Sequence, residues 1–146
     1  MRVILQRSLP EIDDAELAAL ILAGQGSPGR ALGYAGLDLA GLDALLTNIA
    51  MSGDSDNVLR AELAQSLSVK SAQRRYEAFL TRAPSFIADQ ARRRSGRALI
   101  IALEAWSAAH SLAESAVRQS LDPQMTVFAL GGHVAGLAPG AKHAKA

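Results

Sequence analysis

An all-α fold, a bundle of short and medium helices, is what the sequence predicts, and three observations predict it. Apolar residues recur at intervals of three and four through most of the chain, helix start and stop signals punctuate it at short distances, and no stretch of useful length alternates apolar with polar residues. The 146 residues suffice for one core, or one core and a small appendage. Apolar residues make up 49% of them but aromatics only 4%, so the core has to come from Leu, Ala, Ile and Val, which suits helices packed at short distance.

The elements follow in order. Met1 to Leu9 has no start signal and is closed by Pro10; it reads as the last turns of a helix, as in a piece excised from a longer chain. Asp13 is placed to cap a helix whose third residue is Glu16, a variant of the capping box; Leu17, Leu20 and Ile21 share its face and Gly24 supplies a left-handed stop. Ser27-Pro28 starts a second helix that Gly36 ends. Leu37 to Gly41 reads as a connector, after which Leu42, Leu45, Leu46 and Ile49 mark a helix stopping near Gly53. Asp54 to Asn57 is polar and rich in caps, and Leu59, Leu63 and Leu67 follow at helical spacing. Tyr76, Phe79 and Leu80 continue the pattern after a break near Ser68, and Pro84 places a helix boundary near Ala83. Ser95-Gly96 opens the longest regular segment, with an apolar stripe of Leu99, Leu103, Trp106, His110, Ala113 and Val117 opposite Arg97, Glu104, Ser111, Glu114 and Arg118. Glu114 and Arg118 are spaced to pair. Asp122-Pro123 starts a last helix with Val127, Leu130, Val134 and Leu137 on one face and Phe128 and Ala135 on another.

Composition narrows the function classes. No cysteine is present, which removes disulfides, thiol catalysis and thiolate zinc sites and points to a reducing, cytoplasmic setting. The apolar run after Met1 is too short for a secretory signal, and the stretch from Ala98 to Ala109 is broken by Glu104 and falls short of the roughly 20 residues that span a bilayer, so no membrane partner is expected. Net charge is only +1, but it is unevenly spread. Lys70 to Arg97 holds Arg74, Arg75, Arg82, Arg92, Arg93, Arg94 and Arg97 against Glu77 and Asp89, whereas the first third is acidic.

Few residues carry chemistry. Gly24-Gln25-Gly26-Ser27-Pro28-Gly29 matches the dinucleotide fingerprint in letters, but a capped helix leads into it where a strand would be needed, so the glycines read as the stop of one helix and the start of the next. No phosphate-cradling G-x-x-x-x-G-K-[ST] motif occurs. His110, His133 and His143 show no metal-ligand spacing, and the plainer reading of His110 is a packed or interface imidazole. No spacing assembles a nucleophile, base and acid. Arg92, Arg93, Arg94 and Arg97 are the one feature with functional weight: a solvated helix end, a site for an acidic protein surface, or a site for phosphates. Trp106 reads as a core or interface anchor.

The run Gly26-Ser27-Pro28-Gly29-Arg30-Ala31-Leu32, directly after an amphipathic helix, resembles the last helix of the AAA+ lid in the delta-prime family of bacterial DNA polymerase III clamp-loader subunits. The long helix followed by the Asp122-Pro123 start of a final apolar helix is similar to that family's all-α collar domain. The resemblance implies the end of a lid over residues 1–36 and a helical collar (oligomerisation) domain over 37–138; residues 139–146 have nothing to bury and read as a flexible tail. It implies a non-catalytic scaffold segment of the assembly that loads the sliding clamp in DNA replication, with gamma/tau and delta type subunits as partners through the collar. DNA would be met only indirectly, and no catalytic residue, cofactor or metal is implied. ATP-hydrolysing relatives carry a nucleotide-sensing arginine where Gly29 stands here. Arg30, one position on, points about 100° away, so that role is not carried over.

Arg92, Arg93, Arg94, Arg97, Trp106, His110, Val127, Phe128 and Val134 are therefore the expected partner interface, and isolated faces of this kind are expected to self-associate. The alternative is a free-standing helical nucleic-acid-binding module that uses residues 70–97.

Overall fold

The computed structural model describes residues 1–140. Among them are eight α-helices and no strand: α1 (Arg2–Ser8), α2 (Asp14–Gly24), α3 (Pro28–Gly33), α4 (Leu39–Ser52), α5 (Val58–Ser68), α6 (Gln73–Ala91), α7 (Gly96–Arg118) and α8 (Pro123–Ala135), with a 3-10 turn at Lys70–Ala72 leading into α6. The all-α expectation holds. His143 and most of the expected tail lie outside the described residues. The helices form two compact units, Met1–Ala44 and Leu45 onward, and the division falls within α4.

In the first unit α1, α2 and α3 pack on one another around Leu5, Leu17, Leu20 and Ala31, all essentially inaccessible to solvent. The Asp13 carboxylate accepts the Glu16 N–H at 2.7 Å, the expected cap. Glu16 does not close a capping box. Its carboxylate reaches forward, accepting the N–H groups of Leu39 at 2.9 Å and Ala40 at 2.8 Å and so satisfying two of the four free donors at the start of α4. That tie explains two departures from expectation. The first unit reaches Ala44 where the sequence suggested Gly36, and Leu37 to Gly41 is no simple connector, since α4 begins at Leu39. Asp38 also accepts the Gly41 N–H, and a side chain at Gly41 would collide with that carboxylate. Gly24 is likewise not the left-handed residue. Gln25 (φ 50°) and Gly26 (φ 87°) take that conformation, while Gly24 is buried where any Cβ would come within 2.8 Å of the Ala31 Cβ, letting α2 and α3 close on each other.

In the second unit α6 is the central element, in contact with α5, α7 and α8. It buries Tyr76, Phe79, Ala83, Phe86 and Ile87, and it runs unbroken through Pro84, where the sequence suggested a boundary. Pro84 deprives the Leu80 carbonyl of its helical donor, a loss worth about 3 kcal/mol. Each large side chain that α6 buries contributes about 1.5–3 kcal/mol, so tertiary burial wins. The facing surface of α7 is small: Ala102, Ala109, Ala113 and Ala116 are its buried residues. Bulk on α6 against alanine on α7 allows the close helix approach that the composition suggested.

Tyr76 is 5% exposed, and its hydroxyl is buried beside Thr126 with no hydrogen bond of good geometry. Burial raises its pKa above the ordinary 10.0. Tyr76→Phe is therefore expected to change stability by less than about 0.5 kcal/mol, or to stabilise, in urea denaturation. A loss above about 1.5 kcal/mol would instead assign a full hydrogen bond to the Tyr76–Thr126 contact.

Candidate functional site

The long helix α7 presents two apolar surfaces. Its alanine face is used internally, whereas Ile100, Leu103, Trp106 and Val117 are 57%, 50%, 36% and 70% exposed. The periodicity that marked Leu99, Leu103, Trp106, His110, Ala113 and Val117 as a stripe was sound, but only Ala113 of that set is buried. Periodicity alone leaves open whether such a stripe packs internally or meets a partner. Here the closer approach offered by alanine decides, and the large residues face outward.

Part of that stripe borders a groove of about 710 Å³ between α6 and α7, lined by Leu80, Pro84, Ala88 and Arg92 on one side and Trp106, His110, Val117 and Arg118 on the other. Trp106 and His110, one turn apart, stack with ring centroids at 5.1 Å and planes inclined by 14°. His110 Nε2 lies 3.4 Å from the Glu114 carboxylate, a full ion pair only when the imidazole is protonated. Glu114 thus borders the stripe and reaches back to His110, not forward to Arg118 as the spacing suggested.

The arginine cluster divides. Arg92 and Arg93 at the end of α6, and Arg97 at the start of α7, are exposed; Arg92 pairs with Asp89 one turn back, yet its side chain remains 73% exposed. Arg94 is half-buried and donates to the Leu137 carbonyl at 3.0 Å, stitching the end of α6 to the end of α8. Arg82 lies inside the unit, 3% exposed.

Two expected interface residues are elsewhere. Val127 and Val134 on α8 are completely buried in the unit's own core and cannot meet a partner, because α8 turns that face toward α5, α6 and α7. Phe128 is 37% exposed, beneath the Arg60 guanidinium at 5.1 Å. His133 is half-buried, and that burial lowers its pKa from the ordinary 6.5.

Arg60 belongs to an arrangement that sequence reasoning missed. Asp54 is 4% exposed; its carboxylate accepts the backbone N–H groups of Leu59 at 2.9 Å and Arg60 at 3.0 Å and the Arg60 Nε at 2.9 Å. Arg60 also donates to the Asp54 carbonyl and to Asn57. Its stem lies on Gly131 of α8, where a Cβ would come within 2.7 Å of it. The polar stretch after Gly53 was legible as a cap, but the ion pair and its glycine seat were not. This arrangement is structural: it starts α5 and fastens it to α8.

The lid-like run is placed as follows. Ser27 Oγ accepts the Arg30 N–H at 3.2 Å with Pro28 in the first turn of α3, and the exposed Arg30 side chain bonds Gln25 at 3.3 Å. No group of three or more His, Cys, Asp or Glu side chains converges among the described residues, and no described helix is long and apolar enough to cross a membrane. Set beside known proteins, the chain matches no family model, no curated protein and no solved structure.

Proposed function

We propose that the chain is a non-catalytic helical module that assembles with other proteins, and that its specific form is the scaffold segment of a clamp-loader delta-prime subunit. One observation carries the assembly reading. Leu103, Trp106 and Val117 keep 50%, 36% and 70% of their surface exposed on a helix whose buried residues are alanines, so much of their apolar area is not used in holding it in place. Exposed large apolar side chains rimmed by polar and charged ones are the usual anatomy of a protein-binding surface.

The clamp-loader form draws on the Gly26 to Leu32 run in α3 and on the long α7 followed by the Asp122-capped α8. In that form residues 1–36 end a lid, 37–138 form the collar, and the neighbours are gamma/tau and delta type subunits. Function is then mechanical: the module holds a ring of subunits together while other segments handle ATP and DNA. A nucleic-acid reading has less to draw on, since Arg82 is inside the unit and Arg94 is engaged with α8.

Mixing the purified chain with purified loader subunits tests the proposal. Co-elution on size exclusion is expected, and its failure with helicity intact by circular dichroism would end the clamp-loader form.

A further inference from the structure

Independently of the assembly reading, we propose that the corner where α6 ends and α7 begins binds the phosphate backbone of duplex nucleic acid without regard to sequence. Residues 89–103 carry Arg92, Arg93, Arg94 and Arg97 against a single acid, Asp89: four positive charges less one negative leave an excess of three. Only Arg92 is paired with that acid. Arg93 and Arg97 are exposed and have no carboxylate within ion-pair distance among the described residues. Arg94 donates to the Leu137 carbonyl, a neutral acceptor that leaves its charge standing and brings the end of α8 alongside. From Gly131 to Gly140 that segment holds no acid either. With Arg82 inside the unit, the basic stretch from 70 to 97 contracts to a corner whose own acid cancels one charge in four.

The chemistry of the corner selects among anionic partners. From Arg92 to Ala98 no apolar side chain is larger than alanine, so a protein surface would find no anchor for the desolvated centre that holds such interfaces together. The same stretch has no aromatic ring, and Trp106 stands nine residues along α7 from Arg97, about 13 Å, so the bases of a single strand would have nothing there to stack on. A duplex backbone asks for neither. It needs guanidinium groups, each able to hold two phosphate oxygens at once, on a surface from which they reach outward. The exposed Asp89–Arg92 pair adds little in either direction, so Arg93, Arg94 and Arg97 supply the attraction.

Fluorescence anisotropy of a labelled mixed-sequence DNA duplex of about 20 base pairs, titrated with the intact chain at several salt concentrations, tests this. Saturable binding is expected, with log affinity falling against log salt at a slope of about −2.7, so that going from about 50 to about 200 mM salt weakens it about 40-fold. A second duplex of unrelated sequence is expected to bind within about twofold of the first. Arg93→Ala with Arg97→Ala, both exposed, is expected to keep helicity by circular dichroism, to weaken binding at least about tenfold at the lower salt and to bring the slope to about −0.9. Arg93→Lys with Arg97→Lys keeps the charge and is expected to keep the slope. Absence of binding, or a slope that the double alanine variant leaves untouched, overturns the proposal. So does a glutamate-rich peptide of about 20 residues that displaces the duplex at equal concentration, which would make an acidic protein the partner.

Discussion

Asp54→Ala is expected to lower stability by about 3–5 kcal/mol, the usual cost of removing one partner of a buried ion pair. The substitution leaves the Arg60 side chain, 15% exposed, without its counterion, and strips the first turn of α5 of the acceptor for Leu59 and Arg60 N–H. Urea denaturation should show a lower midpoint with an unchanged slope. Acid adds a second signature. Burial alone would raise the Asp54 pKa, but the Arg60 side-chain hydrogen bond, the backbone N–H groups of Arg60 and Leu59 and the Arg60 charge outweigh it, leaving the group below its ordinary 3.8. A carboxyl depressed on folding contributes stability that is fully present above its unfolded pKa and is lost as pH falls through the folded one. The gap in stability between wild type and Asp54→Asn should therefore be constant from neutrality down to about pH 4 and shrink below it. A gap that persisted unchanged at pH 2 would show that the ionised carboxylate contributes nothing.

Phe79→Ala is expected to cost about 3–5 kcal/mol as well, for a different reason. Phe79 is completely buried on α6, the helix in contact with α5, α7 and α8. Because α6 also carries Pro84, its continuity depends on burial more than on its own hydrogen bonds. The loss should thus appear in two observables: a lower denaturation midpoint, and reduced helicity by circular dichroism before the main transition as the segment beyond Pro84 frays. Pro84→Ala in the same background should restore helicity, since it returns a donor to the Leu80 carbonyl. If Phe79→Ala kept full helicity until global unfolding, burial would not be what sustains the helix across the proline.

Much of this fold was legible because its signals are local. The Asp13, Ser27 and Asp122 caps each bond the N–H three residues on, as the start grammar required. What escaped was set by distance or by size. Nothing near Glu16 reveals that its carboxylate serves Leu39 and Ala40, because that bond spans a whole helix-turn-helix of sequence. Pro84 marked a boundary by propensity alone, and the tertiary burial that overrides it is invisible along the chain. The candidate site was half legible. Spacing found Trp106, His110 and Val117 on one line, yet could not say that the neighbouring alanines, and not they, form the internal contact. Val127 and Val134 failed in the opposite sense: apolar on a many-sided helix, they proved to be core.

The alanine face of α7 bears on how tightly anything can bind the other side. Alanine has no rotamers to lose, so seating this helix within its own unit freezes almost no side-chain motion. Leu103 and Val117 are half or more exposed, and in the proposed assembly each would surrender about 0.5–1.5 kcal/mol of torsional freedom on being covered. A partner burying little well-packed area would not recover that loss, so the assembly proposed above would demand extensive contact before it held at all.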